Sequence, residues 1–283
     1  MLKREDIRIR DPFILVDEQS KTYYMYGTTS FFSSDTLVAE DNFLVYVSKD
    51  LENFEGPYVI FDGKKNNFWA TQDFWAAEVH KYGGKYYLFG SFKADNRKRA
   101  TQILVSDSPL GEFIPLSEKT ATPPDQQCLD GTLWVENGTP YLIYCHEWVE
   151  TYDGEMCAVE LSKDLSNRVG EPFVLFKASE NPFVTALSIL DGKDCYVTDG
   201  PFLFEENGKL NMIWSSFING KYAILHSQAN SLLDKWTHLT PWNSENGGHA
   251  MVFTDMKGEK YVSFHQPNDA SYERAVFIPF EKK

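Results

Sequence analysis

The chain has 283 residues, room for one large domain or two ordinary ones, and a formal net charge of −14. That balance argues against nucleic acid, whose phosphates need a basic surface, and against anionic membranes. No run of about 18 apolar residues exists to span a bilayer, and the opening Met-Leu-Lys-Arg-Glu-Asp lacks the apolar core of a secretory signal, so a cytoplasmic location is expected. Aromatic residues make up 15 % of the chain. With β-branched runs punctuated by Gly and Pro they favour strands, and no stretch holds a 3.6-residue apolar period, so helices should be few and short. The four cysteines, Cys128, Cys145, Cys157 and Cys195, form no CxxC pair. They read as buried free thiols, not zinc ligands.

In chain order, one hairpin pattern occurs five times. It begins at Arg10-Asp11-Pro12-Phe13 and returns over 22–27. It recurs at 75–82 with a Gly83-Gly84 turn and 85–90, and at 128–136 with an Asn137-Gly138 turn and 139–144. A fourth copy runs 198–204, turn Asn207-Gly208, 209–214. A fifth, weaker copy runs 248–253, turn Lys257-Gly258, 260–265. Each unit then supplies further strand candidates: 43–48 and 58–61; 101–106 and a piece near Phe113; 156–161 and 173–176; 222–227 and a piece around Trp236; and 275–280. The repeat spacing of roughly 50 to 70 residues predicts an all-β, five-bladed β-propeller of four-stranded antiparallel blades, forming one domain over residues 1–283. The extreme N-terminus is expected to supply the last blade's fourth strand and close the ring. Residues 28–42, 96–100, 147–155 and 185–196 read as insertions around its mouth.

In a propeller the first strand of each blade lies innermost. The residues that open those strands, here Asp11, Glu78, Asp130, Asp199 and His249, should face one another across a central funnel. Like charges raise one another's pKa and resist desolvation, so such a cluster calls for a chemical reason or a cation.

Arg-Asp-Pro-Phe, Trp75-Ala-Ala-Glu-Val, Asp130-Gly-Thr, Asp199-Gly-Pro and Gly-Gly-His249, in this order, resemble glycoside hydrolase family 43 over essentially the whole chain. The resemblance implies an inverting glycosidase on arabinan, xylan or related glycans. An exo-acting α-L-arabinofuranosidase or β-xylosidase-like enzyme is the favoured form, with an oligosaccharide or glycoside as substrate. It implies Asp11 as the general base, Asp130 as the carboxylate that orients the sugar and tunes the acid, and Asp199 as the general acid. Asp199 departs from the family's Glu, and Ala77 from its Pro. Glu147, in Cys145-His146-Glu147-Trp148, is a second candidate for the acid. Trp75 and Glu78 match the motif beside the pocket, and His146 and Glu147 are candidates for substrate contact. His249 matches a histidine near an axial calcium or water; no cofactor is required, and a structural Ca2+ near the axis is the metal expectation. Inversion needs a carboxylate to deprotonate water and a protonated carboxyl for the leaving oxygen, about 6.5–9.5 Å apart.

Each residue also has a plainer reading. Asp before Gly or Pro caps turns. Glu78 fits a structural ion pair as well as a ligand contact. His249 fits a satisfied core histidine, and calcium through water at best. His265 reads as part of a turn, and Glu273 with Arg274 as an ion pair at ring closure. Trp75, Phe74, Trp148 and Phe31 are placed for the mouth, where a flat ring stacks on a sugar. The rival functions are a non-catalytic glycan- or protein-binding propeller and a sugar phosphorylase, which would need basic groups in the funnel.

Overall fold

The computed structural model describes residues 1–29, 31–33, 36–38, 41–190 and 192–280, with 31–33 and 36–38 described by backbone alone. The strands form five antiparallel sheets around an axis, a five-bladed β-propeller. Blade one holds β1 (Leu2–Lys3), β2 (Arg10–Asp17), β3 (Thr22–Thr28), β6 (Asn42–Ser48) and β7 (Asn53–Asp62), with a separate hairpin of β4 (Phe31–Ser33) and β5 (Thr36–Val38). Blade two holds β8 (Gln72–Tyr82), β9 (Lys85–Ala94), β10 (Arg97–Ser106) and β11 (Ile114–Pro115). Blade three holds β12 (Cys128–Glu136), β13 (Thr139–His146), β14 (Glu155–Leu161) and β15 (Arg168–Lys177), followed by a small hairpin of β16 (Leu187–Leu190) and β17 (Lys193–Cys195). Blade four holds β18 (Asp199–Glu206), β19 (Lys209–Ile218), β20 (Lys221–Ala229) and β21 (Thr237–Asn243). Blade five holds β22 (Gly248–Thr254), β23 (Lys260–Gln266) and β24 (Arg274–Pro279). Two of the expected loop insertions thus carry hairpins of their own. Among the described residues the one α-helix is a single turn, α1 (Trp148–Thr151).

Apolar faces of neighbouring blades bury one another. Phe43, Phe61, Phe74 and Phe92 pack between blades one and two, Phe89, Leu142 and Tyr144 between two and three. Ile143, Met156, Phe176 and Trp214 fill the seam of three and four, and Ile213, Ile224, Val262 and Phe264 that of four and five. Phe74, expected at the mouth, is 2 % exposed and stacks on Phe61. Its neighbour Trp75 faces the other way, because successive strand residues alternate faces. The four cysteines are buried and free.

Ring closure differs in detail from the expected fourth strand. Leu2 and Lys3 pair with Phe54 and Asn53 of blade one. A short 3-10 turn at Arg4–Asp6 redirects the chain, Ile7 and Ile9 are buried, and the segment meets blade five through a bridge of Arg8 to Arg274 and a bond from the Ile9 N–H to the Glu273 carbonyl. Glu273 and Arg274 are not an ion pair. Arg274 donates to the backbone carbonyls of Glu5 and Glu273, while the Glu273 carboxylate turns inward to Arg8 and Arg10.

Each inner hairpin contains the same β-bulge. Arg10 pairs with Thr28 and Phe13 with Tyr26, so two residues of β2 stand against one of β3. The same offset occurs at Trp75/Ser91, Leu129/Cys145, Asp199/Ser215 and Gly248/His265. The first bulged residue is left-handed in all five: Asp11 (φ 53°), Ala76 (50°), Asp130 (54°), Gly200 (49°) and His249 (53°). That conformation costs a non-glycine residue about 1–2 kcal/mol.

What offsets it is a hydrogen bond across each seam. Thr28 Oγ1 accepts the N–H of Ala76 at 2.7 Å, Ser91 Oγ that of Asp130 at 2.8 Å, and Ser215 Oγ that of His249 at 2.7 Å. His265 Nδ1 accepts the N–H of Asp11 at 3.2 Å and closes the ring. At the remaining seam Cys145 occupies the acceptor position, and the N–H of Gly200 goes instead to Asp130 Oδ2 at 3.0 Å. Ser215→Ala leaves a buried N–H without its acceptor, and should lower the unfolding free energy by about 1–3 kcal/mol in urea titration. A change below about 0.5 kcal/mol would show that the seam bond contributes little.

Candidate active site

The bulges decide which side chains reach the axis. Asp11, Asp130 and His249 come from the left-handed position itself. At that position blade two has Ala76 and blade four has Gly200, neither of which carries a functional group. The residue before supplies the group there: Trp75 and Asp199. Together with Arg10, Leu129 and Tyr222 these line one hollow of about 360 Å³ on the axis. The structure therefore brings together Asp11, Asp130, Asp199, His249 and Trp75. Glu78 is not among them. It lies two residues past Ala76, is 6 % exposed, and bonds His80 Nε2 at 3.0 Å outside the hollow.

Asp11 accepts from Thr28 Oγ1 at 2.6 Å, and its Oδ1 lies 3.1 Å from His249 Nδ1. Burial pushes its pKa up, but the charge of His249, the contact with His265 and the charge of Arg10 outweigh it. Asp11 is held well below the usual carboxylate range. His249 moves the other way: burial lowers its pKa, yet Asp11 foremost, then Asp130, Glu78 and Asp199, raise it above 6.5. His265, with Nδ1 accepting from the Asp11 N–H, bonds Asn268 Oδ1 through Nε2, and burial lowers its pKa. It belongs to β23, not to a turn, and is fully buried.

Asp130 and Asp199 are both raised above the usual carboxylate range. Burial and the charge of Asp11 raise Asp130 to about 6, against the pull of His249 and the Gly200 N–H. Burial and Asp130 raise Asp199 to about 7, against His249 and the hydroxyl of Tyr222. That hydroxyl donates to Asp199 Oδ2 at 3.0 Å. Tyr222 is itself fixed. Its ring stacks on His265 at 5.6 Å, and a Cβ at Gly248 would overlap it. Gly200 meets the same constraint against His249, whose ring lies 2.7 Å from where a Cβ would stand. The hollow thus holds Asp11 ionised, beside Asp130 and a more strongly raised Asp199, the one of the three that best keeps a proton near neutral pH.

Two further expected residues line no part of the hollow. His146 sits between Glu155 (3.0 Å) and Glu150 (3.1 Å). Glu147 is 3 % exposed and pairs with Arg99, which also binds Asp73 at 2.8 Å. Burial raises the Glu147 pKa against the Arg99 charge. The Arg99 guanidinium lies 4.6 Å from the Trp75 ring centroid, so Asp73 and Glu147 hold the cation that backs the Trp75 indole. Trp148 is partly exposed in α1, and the Phe31 side chain lies outside the described residues.

The axial carboxylates and His249 are engaged with one another and with neighbouring donors. All four oxygens of Asp11 and Asp130 already have partners: Thr28, His249, Ser91 and the Gly200 N–H. His249 Nδ1 faces Asp11, so a calcium there would take most of its six to eight oxygens from water. Among the described residues no three His, Cys, Asp or Glu side chains are grouped to hold a metal.

Sequence reading missed Tyr222, Arg99 and the seam acceptors. Thr28, Ser91, Ser215 and His265 each pair with the residue just before the bulge, at the same position of the second hairpin strand. That shared position was the available signal. Nothing local marks Arg99 or Tyr222.

The family profile described as glycosyl hydrolases family 43 matches residues 6–279. The crystal structure of an endo-arabinase from Bacteroides thetaiotaomicron superposes with a TM-score of 0.91 at 42 % identity, covering 100 % of this chain and 98 % of that one. An endo-1,4-beta-xylanase structure from the same organism shares the fold, with a TM-score of 0.74, 22 % identity, and 96 % and 90 % of the two chains covered. A curated relative from Bacteroides ovatus, named xylosidase/arabinosidase, is 24 % identical over 225 residues, 70 % of this chain. The match spans 65 % of that relative's own length.

His249 should titrate above 6.5 when its ring proton is followed by NMR, and Asp11→Asn should lower the midpoint, since Asp11 is the main charge holding the proton. An unmoved midpoint would remove Asp11 as that partner.

Proposed function

The chain belongs to glycosyl hydrolases family 43, and from that premise we propose that its axial hollow hydrolyses α-L-arabinofuranosyl linkages with inversion, acting from chain ends. The carrying observation is the split in protonation: Asp11 ionised, Asp199 protonated up to about pH 7, both lining one hollow. Asp11 takes a proton from the attacking water. Its negative charge is secured by His249, Arg10 and the Thr28 hydroxyl. Asp199 gives its proton to the leaving oxygen, with Tyr222 donating to its Oδ2 and leaving the other oxygen to carry the proton. Asp130 keeps Asp199 protonated by its proximity and orients the sugar ring. Trp75, backed by Arg99, offers a flat face to that ring.

Glu147 is the weaker acid candidate because it is committed to Arg99 and stands outside the hollow. A neutral sugar binder has no use for paired buried carboxyls, which disfavours the binding-only propeller. The arabinofuranosyl choice is supported by the names of the 42 %-identical structure and of the curated relative. Arg8, Arg10 and Glu273 line one side of the hollow, and because the 42 %-identical structure is named an endo-arabinase, internal cleavage is the competing mode that the product test decides.

Asp11→Asn should lower kcat on a nitrophenyl α-L-arabinofuranoside by about 10²–10⁴-fold. Asp199→Asn should lose as much on natural linkages but far less on a good leaving group. The wild-type rate should fall as pH rises through about 7, where Asp199 loses its proton, and that limb should vanish in Asp199→Asn. A leaving-group bias in Glu147→Gln instead would move the acid to Glu147. Linear arabino-oligosaccharides should yield arabinose first; mixed oligomers would mean internal cleavage.

A further inference from the structure

A second hollow of about 600 Å³ is formed by residues of blades two and three and their connecting segments, including Trp69, Arg97, Lys98, Lys119 and Arg168. A smaller one of about 110 Å³ adjoins it, sharing Lys119, Thr120 and Arg168 and adding the polar side chains of Ser117, Ser166 and Asn167. The two make a continuous groove. Lys98 is already engaged, donating to the Asp125 carbonyl and pairing with Glu150. Arg97 lies over the Trp69 ring at 5.2 Å. Among the described residues no carboxylate is within ion-pair range of Arg97, Lys119 or Arg168, and Glu118 is the one acid that lines the groove. Three unneutralised cations gathered in one groove stand out on a chain of net charge −14, whose overall field repels anions.

The groove is linked to the axial hollow through adjacent residues and Trp75, which lines that hollow. Lys98 lines the groove, while Arg99 turns to the back of Trp75. We propose that it binds a carboxylate-bearing stretch of polysaccharide, a run of uronate sugars flanking the neutral linkage that the axial hollow takes. The guanidinium and ammonium groups match carboxylates spaced along a chain, and the Ser and Asn side chains match sugar hydroxyls. The choice of a saccharide over another polyanion rests on the hydrolase reading of the neighbouring hollow.

The test is calorimetric titration of the full chain with a short unbranched oligogalacturonate at low salt. Saturable binding is expected, weakening with added salt and by at least about tenfold in Lys119→Glu/Arg168→Glu. Turnover of a neutral nitrophenyl arabinofuranoside by that variant should stay near wild type, which also shows that it folds. If the double reversal does not fold, Lys119→Ala/Arg168→Ala replaces it, with the same loss of salt-sensitive binding expected. No saturable binding, equal binding by the variant, or equally tight binding of a single-stranded oligonucleotide would overturn the proposal. A protein that binds oligogalacturonate but turns over no neutral furanoside would keep the groove as an acidic-glycan site and sink the hydrolase reading. The reverse would sink the groove alone.

Discussion

The structure depends on one repeated contact: the N–H of a left-handed residue in one blade, bonded to a side chain on the second strand of the blade before. A left-handed aspartate or histidine is strained by itself. Placed at a bulge, with its amide caught by Ser91, Ser215 or His265, it becomes a rigid post at the axis. The blades are joined and the reactive side chains aimed by the same bond. This explains why carboxylates that disfavour one another's charge stay together in one hollow. Their backbones are held by neighbours on both sides, and an unsatisfied buried amide is the alternative.

Electrostatics then divides the labour. Asp11 receives a hydroxyl and faces a histidine whose pKa its own charge raises. Asp199 has burial, a carboxylate neighbour and one phenol. The same residue type thus serves opposite ends of the proposed reaction, because the surroundings separate the two pKa values. Asp199 stands one residue ahead of the bulge, on a strand that already points into the hollow.

Much of this was legible in the residues. Five hairpins at propeller spacing fixed the blade number, and Asp11, Asp130, Asp199, His249 and Trp75 do share the hollow. What escaped was register. A bulge inserts one residue into the period-two alternation, so the residue equivalent to Asp11 is Ala76, not Glu78, and Gly200, not Asp199. Phe74 was misplaced because alternation sends it to the core while Trp75 faces out. Glu147 and Arg99 are far apart in sequence and meet only once blades two and three pack, and no local pattern announces such a pair. Tyr222 comes from a third strand, which carries no motif.

At the seam between blades three and four, sulfur stands where the other blades put oxygen or nitrogen, and Asp130 has taken over the missing acceptor's duty. One carboxylate is therefore both mortar and instrument. Its basicity is pinned by an architectural obligation, so evolution cannot retune the one without disturbing the other. Exchanging Cys145 for a hydroxyl residue would relieve Asp130 of that obligation, and the sugar-facing chemistry would drift even though no group touching the sugar had changed.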